Sequence, residues 1–223
     1  MAIKGINTNN SVLNLMLTKK LYVSVGFLFL IIQTAFADSP LTSTEFYKAY
    51  DNQDIVVLAA NSEGKLTNEL IEYLLVQENP VAIKLAVINA LGWELNKKKN
   101  HQKFINDLIK KKKYTGIDDF KEKGNAQELI CYAYLMAMDN YLNPKESYRF
   151  ALSACKKEPK SLFINLITGL INAQMILVDK GDWCDVFQAT NRVIKNKELV
   201  MDLNTTAVNL VFSYMNNYEK HCQ

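Results

Sequence analysis

Residues 161 to 178, SLFINLITGLINAQMILV, form eighteen consecutive positions without one charged side chain. Wound as a helix, such a run is apolar on every side, so it has to be enclosed by protein or by lipid. Asn165, Thr168, Asn172 and Gln174 are spread along it and would be costly in hydrocarbon, which makes the centre of a helical domain the expected location. A second run, VAIKLAVINALGW at 81 to 93, has the same character, with Lys84 and Asn89 its only strongly polar side chains. Two helices that need cover on all sides call for a shell of amphipathic helices around them.

The rest of the chain supplies that shell. Asn79-Pro80 and Asn143-Pro144 each set an N-cap residue before a first-turn proline, and Glu158-Pro159 opens a third apolar run. Helices are predicted near 43–52, 67–77, 80–95, 98–113, 126–141, 144–157, 160–178, 182–196 and 204–220. DIVVLAA at 54–60 suits strand or helix by pattern, and helix fits this company. No alternating β-branched segment bounded by turn residues competes. The expected fold class is therefore all-α, as stacked helical hairpins or an orthogonal helical array. Residues 38–223 read as one domain; the polar stretch at 110 to 125, KKKKYTGIDDFKEKGN, reads as a loop and is the one candidate for a lobe boundary, near 114–125.

The pair 67–77 and 80–95 weakly resembles a HEAT-type unit, and 126–157 and 160–196 are similar to TPR-type hairpins. No period recurs with matching residues, and the TPR pattern of Trp, Leu-Gly, Tyr, Ala and Pro at set spacing is absent.

The first 37 residues carry an export pattern. Lys19 and Lys20 precede an apolar stretch from Leu21 to Ala37, and no acidic residue lies upstream. Ser24, Gly26 and Gln33 dilute the run to a core of Phe27 to Ile32, short of the roughly 20 apolar residues a membrane span needs. Ala35-Phe36-Ala37 is the small-x-small pattern that a signal peptidase accepts, so cleavage after Ala37 is expected, with an uncleaved anchor as the alternative. A start at Met16 gives the segment the proportions of an ordinary secretory signal; residues 1–15 are then upstream sequence or a functionless extension. The expected localisation is export, to a periplasm or outside the cell.

Removing residues 1–37 takes away three lysines and no acid, which leaves 23 basic and 23 acidic residues. A chain of zero formal charge has no general affinity for nucleic acid, and after cleavage no stable membrane insertion is expected. In an exported chain four cysteines imply a disulfide framework. Cys131 and Cys155 lie nearly equidistant from the turn near Leu142-Asn143, so one bridge is expected across that hairpin. The second is expected between Cys184 and Cys222, fastening the end of the chain. Buried free thiols are the alternative, above all at Cys131. Zinc fails on spacing, since there is no C-x-x-C pair and His221 is the lone histidine beside a cysteine. No cofactor is expected. Cys184 as a nucleophile is disfavoured by Asp182 and Asp185 beside it.

KKKNHQKFINDLIKKKK, 97 to 113, holds eight lysines against Asp107 alone, and the rest of the mature chain balances it with about seven negative charges. Lys110, Lys111, Lys112 and Lys113 are thus candidates for an anionic partner, against the plainer reading of a solvated face complementing a helix C-terminus. Tyr132, Tyr134, Tyr141 and Tyr148 cluster in one hairpin, and Tyr214 and Tyr218 share a helix face. Tyr132 and Tyr148 are candidate partner contacts, with ordinary packing the plainer reading; Trp93 and Trp183 read as packing residues. Asp118-Asp119 and Asp182/Asp185 need no acid–base role at a loop and a helix start. G-x-S-x-G, H-E-x-x-H, Gly-rich phosphate loops and EF-hand spacing are missing, and there are two histidines.

The expectation is a non-enzymatic, exported protein-binding module of the cell envelope or extracellular space. An immunity or inhibitor protein against an exported toxin or hydrolase is the alternative: small exported helical immunity proteins carry signal peptides and paired cysteines, and this chain resembles them at that level. An enzyme built from convergent helices, using the Asn165, Thr168 and Asn172 stripe, is the third.

Overall fold

The computed structural model describes residues 39–93, 98–112, 114–179 and 181–222, and all regular structure among them is helical apart from one isolated bridge. The expected signal segment, its cleavage site and the start at Met16 lie outside the described residues. Ten α-helices follow one another: α1 Asp54–Ala60, α2 Asn68–Leu75, α3 Val81–Ala90, α4 Asn100–Lys112, α5 Ile117–Lys123, α6 Ala126–Asp139, α7 Lys145–Lys157, α8 Leu162–Asp179, α9 Trp183–Lys195 and α10 Thr205–Met215. A 3₁₀ turn, Phe46–Tyr50, precedes them, and another, Asn216–His221, extends α10. Residues 39–223 form one compact unit.

Helix starts follow from capping. Thr67, Asn125, Asp182 and Asn204 each accept a backbone N–H from the first turn of α2, α6, α9 and α10, and Asn125 with Glu128 completes a reciprocal capping box. The two Asn-Pro pairs work one residue later than expected. Pro80 and Pro144 themselves occupy the cap position, and the Asn79 amide turns back to the Tyr73 carbonyl at 2.8 Å.

Helix α6 is the hub. Twelve of its fourteen residues are buried, and it packs against α2, α3, α4, α7 and α8. Helix α8, charge-free up to its last residue Asp179, lies between α7 and α9 and also meets α6. It is long and apolar enough to cross a membrane, yet 61% of it is buried within this protein. Gly169 lets α9 come close: a Cβ there would lie 2.8 Å from the Ala189 carbonyl oxygen. The start of α8 is held by the segment after α9. Val200 forms a parallel bridge with Ser161, and Asp202 accepts from the Ser161 hydroxyl and, at 2.8 Å, from the Phe163 N–H.

The other apolar helix, α3, carries its polar residue inward. Asn89 accepts from the Tyr47 N–H at 2.9 Å and donates to the Thr44 carbonyl at 3.1 Å and the Tyr134 hydroxyl at 2.8 Å. This satisfies a buried amide and ties α3 to α6 and to the first 3₁₀ turn. Phe46 of that turn reaches the rings of Tyr134 and Phe163, 6.2 and 5.2 Å away. Tyr50 accepts from the Asn204 N–H at 2.9 Å, which brings the two ends of the described chain together. At the far end of α6, Asp139 accepts from both the His101 backbone N–H and its ring Nδ1, at 2.8 and 2.7 Å, and so anchors the start of α4.

Helix α5 is a correction, because 117–123 was expected as loop. Its Phe120 is buried against Tyr114, Tyr132 and Phe150, which makes this polar segment part of the core at that one residue.

Candidate binding site

The pairing of Cys184 with Cys222 builds the most distinctive surface. Cys184 is the second residue of α9 and Cys222 follows the final 3₁₀ turn, so the bridge lays that turn along α9, with the two Cα atoms 4.8 Å apart. A 3₁₀ helix has three residues per turn, so side chains three apart eclipse. The turn therefore presents three rows, of which two carry most of the site. Tyr218 and His221 face Trp183, whose indole stacks on both, with centroids 5.2 and 5.8 Å away. Tyr214 adds an edge to Tyr218, their hydroxyls 2.6 Å apart. Trp183 packs at the boundary as expected and remains 42% exposed, so its packing forms a surface aromatic stack.

The second row, Asn216, Glu219 and Cys222, lines a cleft of about 570 Å³ together with Lys220. Phe187, Gln188, Asn191 and Lys195 of α9 form the opposite wall, at the helical spacing that puts them on one face. Asn191 is 7% exposed; its Nδ2 donates to Gln188 Oε1 at 3.2 Å, and its Oδ1 accepts nothing among the described residues. Among the described residues Gln188 Nε2 meets only the Cys222 sulfur, at 3.8 Å. Among the described residues Lys195, Glu219 and Lys220 join no ion pair.

The bridge expected between Cys131 and Cys155 is not formed; both are free thiols. Their equal distance from the turn sets them level along the α6–α7 hairpin, but they face different neighbours. Cys131 is enclosed on the hub helix near Lys84, and burial pushes its thiol up to about 12. Cys155 looks towards α8, with its sulfur 3.1 Å from the Thr168 hydroxyl, and burial raises it too.

Of the expected partner contacts, Tyr132 is corrected to a core residue. It is 6% exposed and wedged against Phe120 and Phe150. Tyr148 is half-buried, beside the core. Lys110 and Lys111 are exposed on α4, and Lys111 pairs with Glu72 of α2. Nothing is described of the Lys112 side chain, and Lys113 lies outside the described residues. Other lysines of the run serve the fold: Lys98 and Lys103 donate to the Leu91 and Leu66 carbonyls, at 2.7 and 2.9 Å. Two residues of the polar stripe of α8 turn to local backbone, with Asn165 donating to the Ser161 carbonyl at 2.7 Å and Thr168 to that of Ile164 at 2.8 Å. Asp119 binds Lys123 at 2.6 Å and the Thr115 N–H, which hold its carboxyl below the usual range, and Asp182 caps α9.

The aromatic stack was within reach of sequence reasoning. Once Cys184 is paired with Cys222, Trp183 has to lie near residues 218 to 221.

No known protein family, curated protein or solved structure matches this chain.

Proposed function

We propose that this protein is an exported, non-enzymatic protein-binding module of the cell envelope or extracellular space, and that its partner docks on the face made by α9 and the final 3₁₀ turn. The observation that carries this reading is the exposed Trp183, stacked on Tyr218 and His221 and fastened by the adjacent bridge. A large aromatic held in one orientation loses little entropy on docking, and such residues dominate binding energies at protein interfaces. The Cys184–Cys222 bridge supports a place in an oxidising compartment. Consecutive helices packed in pairs, α6 with α7 and α8 with α9, support the likeness to stacked helical hairpins. The enzyme reading has less support, since Asn165 and Thr168 spend their polar groups on the helix backbone. Inhibition of an exported toxin or hydrolase is the second reading, and an aromatic anchor suits it equally.

Two experiments test this. Recovered unreduced from its host's envelope fraction after thiol blocking in denaturant, the protein is expected to begin at Asp38 and carry two blocked thiols; a chain keeping its first 37 residues, or with four blocked thiols, overturns export. Affinity capture with residues 38–223 is expected to retain a protein partner that Trp183→Ala loses and Leu152→Ala, exposed on α7, keeps. Recovery of no partner, or equal retention by both variants, counts against the docking face.

A further inference from the structure

We propose that the cleft between α9 and the final 3₁₀ turn binds an extended peptide segment carrying an acidic side chain; this rests on the protein-binding reading and names what the partner inserts. Its volume of about 570 Å³ suits a few residues of peptide. Lys195 comes from one wall and Lys220 from the other, and neither ammonium group is neutralised within the described protein. A carboxylate entering between the walls gains charge-assisted hydrogen bonds to groups that otherwise face water.

The amides argue for a peptide over a bare anion. Every peptide unit brings one donor and one acceptor that need partners when covered. The buried Asn191 offers its unengaged Oδ1 as the acceptor, and Gln188 Nε2, held only by a long contact to sulfur, is the donor. These two residues lie one helical turn apart on the same wall, so they address the backbone while the lysines address the side chain. Glu219 in the opposite row sets the charge limit. Two ammonium groups against one carboxylate leave one positive charge to match, which suits a single carboxylate better than the several charges of nucleic acid or phosphorylated chains. The wall that supplies Glu219 and Lys220 stays beside α9 through the bridge, so the site belongs to the oxidised protein.

The test uses isotope-labelled 38–223 with intact bridge and two blocked-end pentapeptides, Gly-Ala-Glu-Ala-Gly and its Gln analogue, followed by NMR shift changes at millimolar peptide. Shifts confined to Gln188, Asn191, Lys195, Glu219 and Lys220 are expected, with the Glu peptide bound about tenfold more tightly than the Gln peptide. Lys195→Gln and Lys220→Gln together are expected to abolish that preference, while Glu219→Gln strengthens Glu-peptide binding about two- to threefold. All three residues are surface groups without ion-pair partners among the described residues, so the variants keep the fold, which the unchanged spectrum elsewhere verifies. No shift at these residues, equal affinity for both peptides, or preference unchanged in the double-lysine variant overturns the proposal. If a captured partner needs Trp183 yet ignores both lysines, the docking face stands and the acidic-peptide site fails. Peptide binding at the cleft without any captured partner upholds the site and sinks the wider function.

Discussion

Breaking the Cys184–Cys222 bridge tests whether the last 3₁₀ turn belongs to the cooperative unit. The bridge spans 38 residues of sequence. In the chain-entropy treatment a closed loop of that size lowers the unfolded-state entropy by about 13 cal/mol/K, equivalent to about 4 kcal/mol at 25 °C. Native contacts that survive its loss are the burial of Met215 and Tyr218 and the docking of α10 on the Phe46–Tyr50 turn, so the oxidised and bridge-free proteins share one fold. For a domain of this size each kcal/mol shifts Tm by about 2–4 °C, so the double variant Cys184→Ala/Cys222→Ala is expected to melt about 8–16 °C lower. Calorimetry of both proteins without reductant measures this, and adding reductant to the native protein has to reproduce the shift. A change within about 2 °C would refute the reasoning, because the turn would then fray separately from the unit and the bridge would close no loop that matters to global unfolding.

Three further outcomes are expected. Gly169→Ala forces a Cβ to 2.8 Å from the Ala189 carbonyl and should destabilise by about 1–3 kcal/mol in urea titration; a neutral result means α8 and α9 slide apart freely. Asn89→Ala strands the Tyr134 hydroxyl and the Tyr47 N–H and should cost about 3 kcal/mol, again read by denaturant midpoint. Cys131 keeps its proton in the native state up to about 12, whereas the unfolded thiol releases it near 8.5, so stability contributed below pH 8.5 is lost as pH rises, by up to about 1.4 kcal/mol per unit. Cys131→Ala is expected to flatten that decline between pH 8.5 and 9.5, and a thiol reagent at pH 8 should label native Cys131 only on unfolding.

The helices from 126 to 195 follow from the sequence to within about two residues, because apolar period and capping are local signals. Helix α5 escaped them: IDDFKEK is polar except at Ile117 and Phe120, and Phe120 alone is buried there. The last helix was read as continuous to 220, but nothing in the apolar pattern distinguishes an α-helix from the 3₁₀ turn that begins at Asn216. The cysteine pairing was half accessible. Distance from a turn gives height along a hairpin but not rotation about each helix, and rotation is what sends Cys131 to the hub and Cys155 towards α8. Asn89 stood out as a polar residue in an apolar run, yet its partners lie more than 40 residues away in the chain. The cleft was hidden for the same reason, since its two walls are segments separated in the chain that meet through the bridge and the Trp183 stack.

The final 3₁₀ turn combines three tasks in one short register: residues 218 and 221 stack, residues 216 and 219 line the cleft, and residue 222 closes the bridge. Conservative exchanges at any one position leave the other rows in place. Insertion or deletion of a single residue rotates everything beyond it by about 120° and shifts it by about 2 Å along the axis. Length is therefore the strict requirement in this segment and identity the looser one, so among descendants of this chain substitutions in the turn should be common and gaps rare.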